Sequence, residues 1–444
     1  MINIVENIKQ QIKSTVLQSI ENAVQKGELP AIDVPEMIIE TPREKEHGDF
    51  STNIAMQVVK QAKKPPKQIA EIIIKNLNLD GTYINRVECA GPGFINFYLK
   101  LDWLYDTLKI IQKEKTDYGK IDIGKGQKVM VEFVSANPTG PLHMGNARGG
   151  ALGDCIASVL EAAGYDVTRE FYINDAGNQI EKFGASLEAR YIQLLKGEDA
   201  IEFPEDGYHG EDIIEHMKNY IAENGDKLLN VESSERKKIL VKYALEKNIA
   251  RIRKDLEDYG VKFDVWFSEQ SLYDSGEFED TMRYLKENGL TMEKDGAVWF
   301  KATKFGVEKD EVLIRNNGIP TYFASDIAYH RNKFQKRKFD RVINLWGADH
   351  HGHVARMKAA VEALGINPDK LDIVIFQLVR LYRNGEIARM SKRTGKAISL
   401  SDLLEEVGRD AARFFFNTKA SGSHLDFDLD LAVEQSNDNP VFYV

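Results

Sequence analysis

Cysteine is scarce in this chain, since only Cys89 and Cys155 occur among 444 residues. Two distant cysteines cannot form the disulfide framework of a small secreted domain, and no Cys-X-X-Cys pair is present to hold zinc. The chain also lacks any apolar run close to the roughly 20 residues that cross a bilayer. Charged residues interrupt the opening segment, which excludes a secretory signal. We therefore expect a protein of the reducing cytoplasm with no membrane partner.

Positive charge is not in excess either. Lysine and arginine number 59 against 69 acidic residues, which gives a formal net charge of −10. Net charge governs solubility more than local recognition, so an RNA partner that contacts basic patches on one face remains compatible with this balance. One patch is the stretch at residues 380–396, and a lysine cluster provides a second: Lys60, Lys63, Lys64 and Lys67. Each could instead be a solvated segment.

Residues 129–154, VMVEFVSANPTGPLHMGNARGGALGD, carry the most informative pattern in the chain. The apolar run at residues 129–134 predicts a β-strand, and a short loop then leads to a helix that begins near His143. A second strand follows at about residues 167–173. Strand, helix and strand form a βαβ unit, in which ligands bind at the carboxyl ends of the strands.

The first turn of the predicted helix suits an anion. His143 and Asn146 lie three residues apart, so both face the end where backbone N–H groups are unpaired and the helix dipole is positive. Both side chains can donate to phosphate. Nearby glycines would let a nucleotide approach the backbone closely. These glycines are Gly140, Gly145, Gly149, Gly150 and Gly153. The alternative is a tight turn whose small residues serve helix packing.

The basic stretch provides a second pattern. Met390, Ser391 and Lys392 precede a glycine-containing turn within it. Such a loop could close on a nucleotide, and Lys392 could neutralise the charge that develops on departing pyrophosphate. A solvated basic loop is the alternative.

A third pattern, IPTYFASDIAYHRNKF at residues 319–334, predicts a helix that begins near Pro320. Tyr322, Asp326 and His330 would recur along one face of this helix. A carboxylate such as Asp326 could hold a guanidinium group through two parallel hydrogen bonds. Taken alone, an aspartate is more often a surface or capping residue.

Together these motifs resemble the signatures of class I aminoacyl-tRNA synthetases. Residues 143–146 are similar to the His-X-Gly-His signature, with Asn146 at the position of the second histidine. Residues 389–392, Arg-Met-Ser-Lys, are similar to the Lys-Met-Ser-Lys signature. The fuller wording of residues 132–143 and of residues 173–179, INDAGNQ, resembles arginyl-tRNA synthetases in particular.

The resemblance implies three groups of site residues. The catalytic group is His143, Asn146 and Lys392. The ATP-binding group is Gly140, Gly145, Gly347, Asp349, His353, Met390 and Ser391. The arginine-binding group is Glu132, Asn137, Tyr322, Asp326 and His350. In this family the tyrosine and aspartate recognise the arginine side chain and the asparagine binds its α-amino group.

Three histidines follow a predicted strand at residues 341–346 and raise the question of a metal site. They are His350, His351 and His353. No Cys or Glu completes a recognisable zinc spacing, so we predict no metal site. The segment should instead line the ATP and arginine sites.

We expect an α/β fold with a doubly wound, Rossmann-like parallel sheet in the catalytic domain. The expected domains are an α+β N-terminal domain at residues 1–118, a catalytic domain at 119–400 with a helix-rich insertion at about 180–310, and a C-terminal segment at 401–444. By resemblance, the first domain touches the corner of the tRNA. The last is the start of a helical anticodon-binding domain that is truncated in this sequence.

These patterns lead to the hypothesis of an ATP-dependent ligase that forms arginyl adenylate and transfers the arginyl group to the 3′ end of tRNA(Arg). ATP would act with Mg²⁺, and we expect a monomer. One alternative is a class I synthetase for another amino acid. Another is a non-catalytic paralogue that binds RNA or another synthetase, suggested by Asn146, Arg389 and the early end of the sequence.

Overall fold

The computed structural model describes residues 4–388 and 398–442. The contacts within the chain divide it into two units, Met1–Asp122 and Ile123–Val444. Among the described residues, no helix is both long and apolar enough to cross a membrane.

The first unit packs helices on one three-stranded antiparallel sheet of order β1-β3-β2. Its elements are α1 (Ile4–Gln25), β1 (Phe50–Thr52), α2 (Ile54–Gln57), α3 (Val59–Ala62), α4 (Pro66–Lys75), β2 (Ile84–Ala90), β3 (Phe94–Leu99) and α5 (Asp102–Glu114). Ile8, Ile12 and Val16 recur at i and i+4 along α1 and are buried against this sheet's core residues such as Phe97. This unit therefore has its own hydrophobic core.

The second unit contains the remaining elements. Its first half comprises β4 (Lys128–Glu132), α6 (Met144–Ala162), β5 (Asp166–Ile173), α7 (Asn178–Lys196), α8 (Glu211–Asn224), α9 (Ser233–Asp258), β6 (Val265–Ser268), α10 (Gln270–Asp274) and α11 (Glu277–Glu287). Its second half comprises β7 (Thr291–Lys294), β8 (Ala297–Phe300), β9 (Glu311–Ile314), α12 (Tyr322–Arg331), β10 (Arg341–Gly347), α13 (Val354–Ala363), β11 (Leu371–Phe376), β12 (Val379–Arg383), β13 (Glu386–Ile387), α14 (Leu400–Val407), α15 (Arg409–Asn417), β14 (Leu425–Asp428) and α16 (Leu429–Val433).

The central sheet of this unit is parallel and has the order β11-β10-β4-β5-β6. From β4 the chain adds β5 and β6 on one side, then crosses to place β10 and β11 on the other. The strand order therefore reverses between β4 and β10, and ligands bind at such a switch point, outside the carboxyl ends of the strands. The predicted doubly wound α/β fold is confirmed.

The stretch expected as an insertion at about residues 180–310 is not one continuous insertion. Helices α7, α8 and α9 bury a separate cluster that includes Phe183, Met217 and Leu240. The chain then returns to the central sheet as β6, which pairs with β5. We did not predict β6 from the sequence, because a strand of only four residues shows too little alternation to be recognised.

The segment after the central sheet is held against α6. The Arg148 guanidinium is fully buried and donates to three carbonyl oxygens, those of Gln377 (2.7 Å), Ser423 (2.9 Å) and Ala420 (3.0 Å). Backbone dipoles thus replace water around a charge that would be costly to bury alone. Arg148 thereby links α6 to the loop after β11 and to the loop before β14.

Three α6 glycines serve packing, which corrects the expectation that they leave room for a nucleotide. A Cβ at Gly153 would lie 2.2 Å from Cγ of Phe133, and one at Gly149 would lie 3.1 Å from Cζ of Phe376. Gly150 faces the Tyr259 ring at 3.3 Å. The alternative interpretation, small residues for close helix packing, is right for these positions.

Gly153→Ala is expected to destabilise the chain. The new methyl group would overlap the buried Phe133 ring, and overpacking costs about 1–3 kcal/mol, more than the gain of about 1 kcal/mol in helix propensity. Urea unfolding measures the difference. Gly422→Ala is the control, because a Cβ there meets nothing within 4 Å. Equal stability of Gly153→Ala and the parent chain would contradict this packing argument.

Candidate active site

His143 is the N-cap residue of α6 and forms a reciprocal capping box with Asn146. The His143 Nδ1 atom accepts from the Gly145 N–H at 3.2 Å, and the Asn146 Oδ1 atom accepts from the His143 N–H at 3.1 Å. Asn146 is thus engaged through its oxygen. Its Nδ2 atom makes no hydrogen bond within the described residues and remains a donor for an anion.

The capping bond also fixes the protonation of the His143 ring. Because Nδ1 accepts a hydrogen bond, the proton of the neutral ring resides on Nε2. The side chain keeps an exposed edge, yet the surrounding protein removes enough water to lower the pKa of His143 below 6.5. The ring is therefore a neutral Nε2–H donor at physiological pH, at a helix end that favours phosphate.

The loop after β4 contains a strained turn. Val134 and Ser135 have φ values of 66° and 42°, which are rare for residues other than glycine and cost about 1–3 kcal/mol each. The Ser135 N–H donates to the Phe133 carbonyl at 2.9 Å and closes a γ-turn around Val134. The Ser135 hydroxyl donates to Glu132 Oε1 (3.1 Å) and accepts from the Tyr172 N–H (3.2 Å). These bonds hold the turn that leads to Asn137.

The insertion helices hold the other half of this loop. Asn248 of α9 donates from Nδ2 to the Pro138 carbonyl at 2.8 Å, and its Oδ1 lies 2.8 Å from His216 Nε2 of α8. Pro138 directly follows Asn137, whose side chain is predicted to bind the substrate amino group. The helical cluster therefore contributes to the shape of the loop.

Glu132, predicted to bind arginine, is buried and forms an ion pair with Lys333. Lys333 Nζ lies 2.5 Å from Glu132 Oε2 and 3.1 Å from Asn344 Oδ1, and its side chain is fully buried. Lys333 comes from a π-helical turn at Asn332–Lys336 that extends α12. The turn directs the ammonium group between β4 and β10. The carboxylate of Glu132 is therefore neutralised by the protein itself.

A hydrogen-bond chain continues from this pair to Asp326. Asn344 Nδ2 lies 2.9 Å from His330 Nε2, and His330 Nδ1 lies 2.7 Å from the Asp326 carbonyl oxygen. Complete burial keeps the pKa of His330 well below its usual range, so the ring is neutral. In this tautomer Nδ1–H donates to the carbonyl and Nε2 accepts from the amide.

Asp326 lies on the same helix at the carboxyl end of β10. Its Oδ2 atom is 2.8 Å from Nε2 of His353, and Arg356 Nε donates to Nδ1 of the same ring at 2.6 Å. Both ring nitrogens of His353 are therefore engaged. The ATP contact predicted for His353 stays a prediction and would require one of these bonds to break.

A pocket of about 300 Å³ lies beside the start of α12 and the carboxyl end of β6. Tyr322, Ser325 and Glu269 line it, together with Arg315. Asp326 does not line this pocket, although it lies near enough to Glu269 to act on its charge. Glu269 was not found from the sequence because it follows the short strand β6, which no periodicity revealed.

Glu269 is a buried acid in this pocket. Its Oε2 atom has no hydrogen-bond partner within the described residues. Burial raises its pKa from 4.5 to about 7; the Ser325 hydroxyl opposes the shift, and the charges of Asp326 and Asp175 add to it. Asp175, in the predicted INDAGNQ motif, accepts from Ser268 Oγ (2.6 Å) and the Gln270 N–H (2.9 Å) and so brackets Glu269.

Three further predicted site residues lie at or just after the end of β10. Gly347 ends the strand, and Asp349 and His350 are exposed on the following 3-10 turn, where His350 Nε2 is 3.4 Å from Asp349 Oδ2. Their ATP and arginine contacts stay predictions. Among the described residues, no group of three or more His, Cys, Asp or Glu side chains is arranged to hold a metal ion.

Met390, Ser391 and Lys392 lie outside the described residues. The chain from Ser399 onward is anchored at the first signature: the Leu400 N–H donates to the Leu142 carbonyl at 3.0 Å, and Ser399 forms a β-bridge with His143. Residues 399–400 are thus tied to the N-terminus of α6. Gly140 and Gly145 lie in the same region, and a Cβ at Gly140 would meet no atom within 4 Å.

The sheet is doubly wound, a helix capped by His143 begins at its switch point, and residues 399–400 return beside that helix. These features are those of the catalytic domain of a class I aminoacyl-tRNA synthetase. Residues 107–426 match the family described as tRNA synthetases class I (R), catalytic domain. Residues 6–99 match the arginyl tRNA synthetase N-terminal domain. The chain belongs to the arginyl-tRNA synthetase family, and the resemblance inferred from its motifs is confirmed.

Two similar sequences and two similar structures support this family assignment. An arginine–tRNA ligase from Acetivibrio thermocellus is 78% identical over 444 residues, which is 100% of this chain and 79% of the relative. One from Ruminiclostridium cellulolyticum is 73% identical with the same coverage. A Campylobacter jejuni structure assigned as an arginyl-tRNA synthetase is 36% identical with a TM-score of 0.70, covering 78% of this chain and 74% of that one. The Thermus thermophilus arginyl-tRNA synthetase, 19% identical with a TM-score of 0.62 over 96% of this chain and 78% of that one, shares the fold.

Lys333→Met is expected to lower the free energy of unfolding by about 3–5 kcal/mol, because removal of one partner leaves a buried charge on Glu132. Urea unfolding measures the change. The double variant Lys333→Met, Glu132→Gln removes both charges and should recover part of the loss. If the double variant were as unstable as the sum of the single variants, the two side chains would not interact as described.

Proposed function

We propose that this chain activates L-arginine with ATP and transfers the arginyl group to the 3′ end of tRNA(Arg). The observation that carries the proposal is the separation of charge across the switch point. Hydrogen-bond donors face the crevice at the N-terminus of α6, and buried or half-buried carboxylates face it beside α12. The first surface suits a triphosphate and the second suits a guanidinium group.

The phosphate side is formed by His143 and Asn146. His143 Nε2–H and Asn146 Nδ2–H would donate to the phosphates of ATP, in the positive field of the helix N-terminus. Gly140 and Gly145 would admit the nucleotide, and Gly347, Asp349, Met390 and Ser391 would complete its site. Mg²⁺ would accompany ATP as part of the substrate, and Lys392 would stabilise the departing pyrophosphate.

The arginine side is formed by Asp326, Tyr322 and Glu269. The guanidinium would pair with the carboxylates, and the Tyr322 ring would cover the pocket mouth, where half of its surface is exposed. Asn137 would bind the α-amino group, with His350 at the rim. Glu132 would act through Ser135 and the strained turn. A neutral or acidic amino acid would leave the two carboxylates unpaired, which disfavours a synthetase of another specificity.

The chemical step then requires no nucleophilic side chain. A carboxylate oxygen of arginine attacks the α-phosphorus, a new P–O bond forms, and the bond from the α-phosphorus to the bridging oxygen breaks as pyrophosphate leaves. The 3′-terminal ribose hydroxyl of tRNA then attacks the arginyl carbonyl and AMP leaves. Positioning and charge stabilisation supply the rate.

We propose that residues 1–118 contact tRNA and that the catalytic domain starts at about residue 119. We also propose that the chain acts as a monomer in the cytoplasm.

Asp326→Asn is expected to weaken L-arginine binding by about 10- to 100-fold, since a hydrogen bond to a charged partner contributes about 1.5–3 kcal/mol. The amide keeps the shape and an oxygen that accepts from His353 but loses the charge. Calorimetric titration with a non-hydrolysable ATP analogue present measures the change. The affinity for the analogue itself should not move, and L-citrulline should bind poorly to the parent chain.

Asp258→Asn is the control for that experiment, because Asp258 pairs with Lys254 in an i,i+4 ion pair on α9. Arginine affinity that is the same in the Asp326 and Asp258 variants would exclude Asp326 from the arginine site.

Arginine affinity is expected to depend on pH through Glu269. The carboxylate form binds the guanidinium, so the apparent dissociation constant should rise below pH 7, approaching tenfold for each pH unit. Glu269→Gln should bind more weakly at pH 8 and lose this dependence. Thermal unfolding gives an independent check. The pKa of Glu269 in the folded chain exceeds its unfolded value of 4.5, so its contribution to stability falls as pH rises from about 4.5 through 7. Glu269→Gln lacks this contribution, and parallel stability profiles of the parent chain and the variant would contradict the assignment.

A further inference from the structure

His353 has a buried side chain, and its two ring nitrogens contact groups of opposite charge. It ends the 3-10 turn Ala348–His353 and is 8% exposed. Nε2 contacts the Asp326 carboxylate at 2.8 Å and Nδ1 contacts the Arg356 Nε–H at 2.6 Å. The ring thus lies between the carboxylate proposed to bind arginine and a cation on the next helix.

Arg356 selects one tautomer of this ring. A guanidinium group only donates hydrogen bonds and stays charged in proteins. Nδ1 must therefore offer its lone pair, and the ring proton is on Nε2, from which it is donated to Asp326. A second proton on Nδ1 would point at the Arg356 N–H and place two cations in contact.

Arg356 is itself held in place. Its Nη1 donates to Glu311 Oε2 of β9 at 3.2 Å, and its guanidinium carbon lies 5.9 Å from the centre of the Phe323 ring. The His353 ring packs against Phe323 of α12 and Trp346 of β10 at 5.5 and 5.2 Å. The charged or titratable groups that act on His353 are Asp326 and His330 on α12, Arg356 on α13 and Glu311 through Arg356.

We propose that Arg356 is a positioning residue for arginine recognition: it fixes His353 in the Nε2–H tautomer that orients the Asp326 carboxylate. The inference rests on the proposed function, in which Asp326 binds the guanidinium group. Glu311, Arg356 and His353 then form a relay from β9 to the substrate, in which each member restricts the next.

The relay has one consequence for Asp326. The bond to Oδ2 holds the carboxylate in one rotamer and leaves Oδ1, which makes no hydrogen bond within the described residues, to face the guanidinium. The other tautomer of His353 would turn a lone pair on Nε2 toward Oδ2 and remove this bond.

Nuclear magnetic resonance of ¹⁵N-histidine-labelled protein tests the relay without any substrate. The chain has nine histidines, so His353→Gln identifies the signal. The parent chain should show the Nε2–H tautomer at pH 8.5. Arg356→Met, in which Nδ1 has lost its donor, should show a detectable share of the Nδ1–H tautomer, and Arg356→Lys, which keeps a cationic donor, should restore part of the parent behaviour.

Calorimetric titration of L-arginine, with a non-hydrolysable ATP analogue present, tests the consequence. The measured quantity is the ratio of the dissociation constants of Arg356→Met and the parent chain at pH 8.5, where Glu269 is mostly ionised. The ratio should be about three to ten, as expected when one hydrogen bond to the carboxylate is weakened. Lys358→Met, in the same helix but bonded to the Pro368 carbonyl, is the control and should give a ratio near one.

The two arms separate the relay from the proposed function. A His353 signal that is unchanged in Arg356→Met overturns the relay, whatever the binding data show. A ratio near one, despite an altered tautomer of His353, overturns the role of the relay in arginine recognition. A parent chain that shows the expected tautomer but binds no arginine overturns the proposed function of the pocket, and the inference falls with it.

Discussion

The active-site crevice depends on the buried ion pair between Lys333 and Glu132. It joins the last residue of β4 to the π-helical turn that extends α12, and Lys333 also reaches Asn344 on β10. The two strands that flank the switch point are therefore fastened to each other and to the helix that carries Asp326. A buried ion pair of this kind contributes less to stability than to a defined geometry, because desolvation offsets most of its attraction. Its effect here is to fix where the loops after β4 and β10 begin.

The two sides of the crevice differ in charge: one presents hydrogen-bond donors and the other presents carboxylates. The strained turn at Val134 and Ser135 directs the chain toward the N-terminus of α6, where backbone and side-chain donors accumulate. The hydrogen-bond chain through Asn344 and His330 leads instead to Asp326, in the neighbourhood of Glu269. A substrate with a cationic end and a carboxylate end can occupy this field in only one orientation, which brings its carboxylate to the phosphate side. Burial, together with the charges of Asp326 and Asp175, raises the pKa of Glu269 to about 7, and a bound guanidinium group would lower it.

Local patterns in the sequence were sufficient for the fold and for the helix terminus. The strand, loop and helix at residues 128–162 are set by neighbouring residues, and the helix start near His143 was predicted from them. The capping box of His143 and Asn146 was found only in the structure. Patterns failed where long-range packing decides. Gly149 and Gly153 face the rings of Phe376 and Phe133, which are distant in sequence, and no spacing rule reveals such contacts. Lys333 and Arg356 look like ordinary helical cations, and only the tertiary structure brings them to Glu132 and His353. Glu269 was hidden by the brevity of β6.

The most direct test is a crystal structure of this chain with L-arginine and a non-hydrolysable ATP analogue. The guanidinium nitrogens should lie about 2.7–3.2 Å from the carboxylates of Asp326 and Glu269, with the substrate carboxylate directed to the N-terminus of α6. A bound arginine whose guanidinium group contacts neither acid, or whose carboxylate lies beside α12, would contradict it.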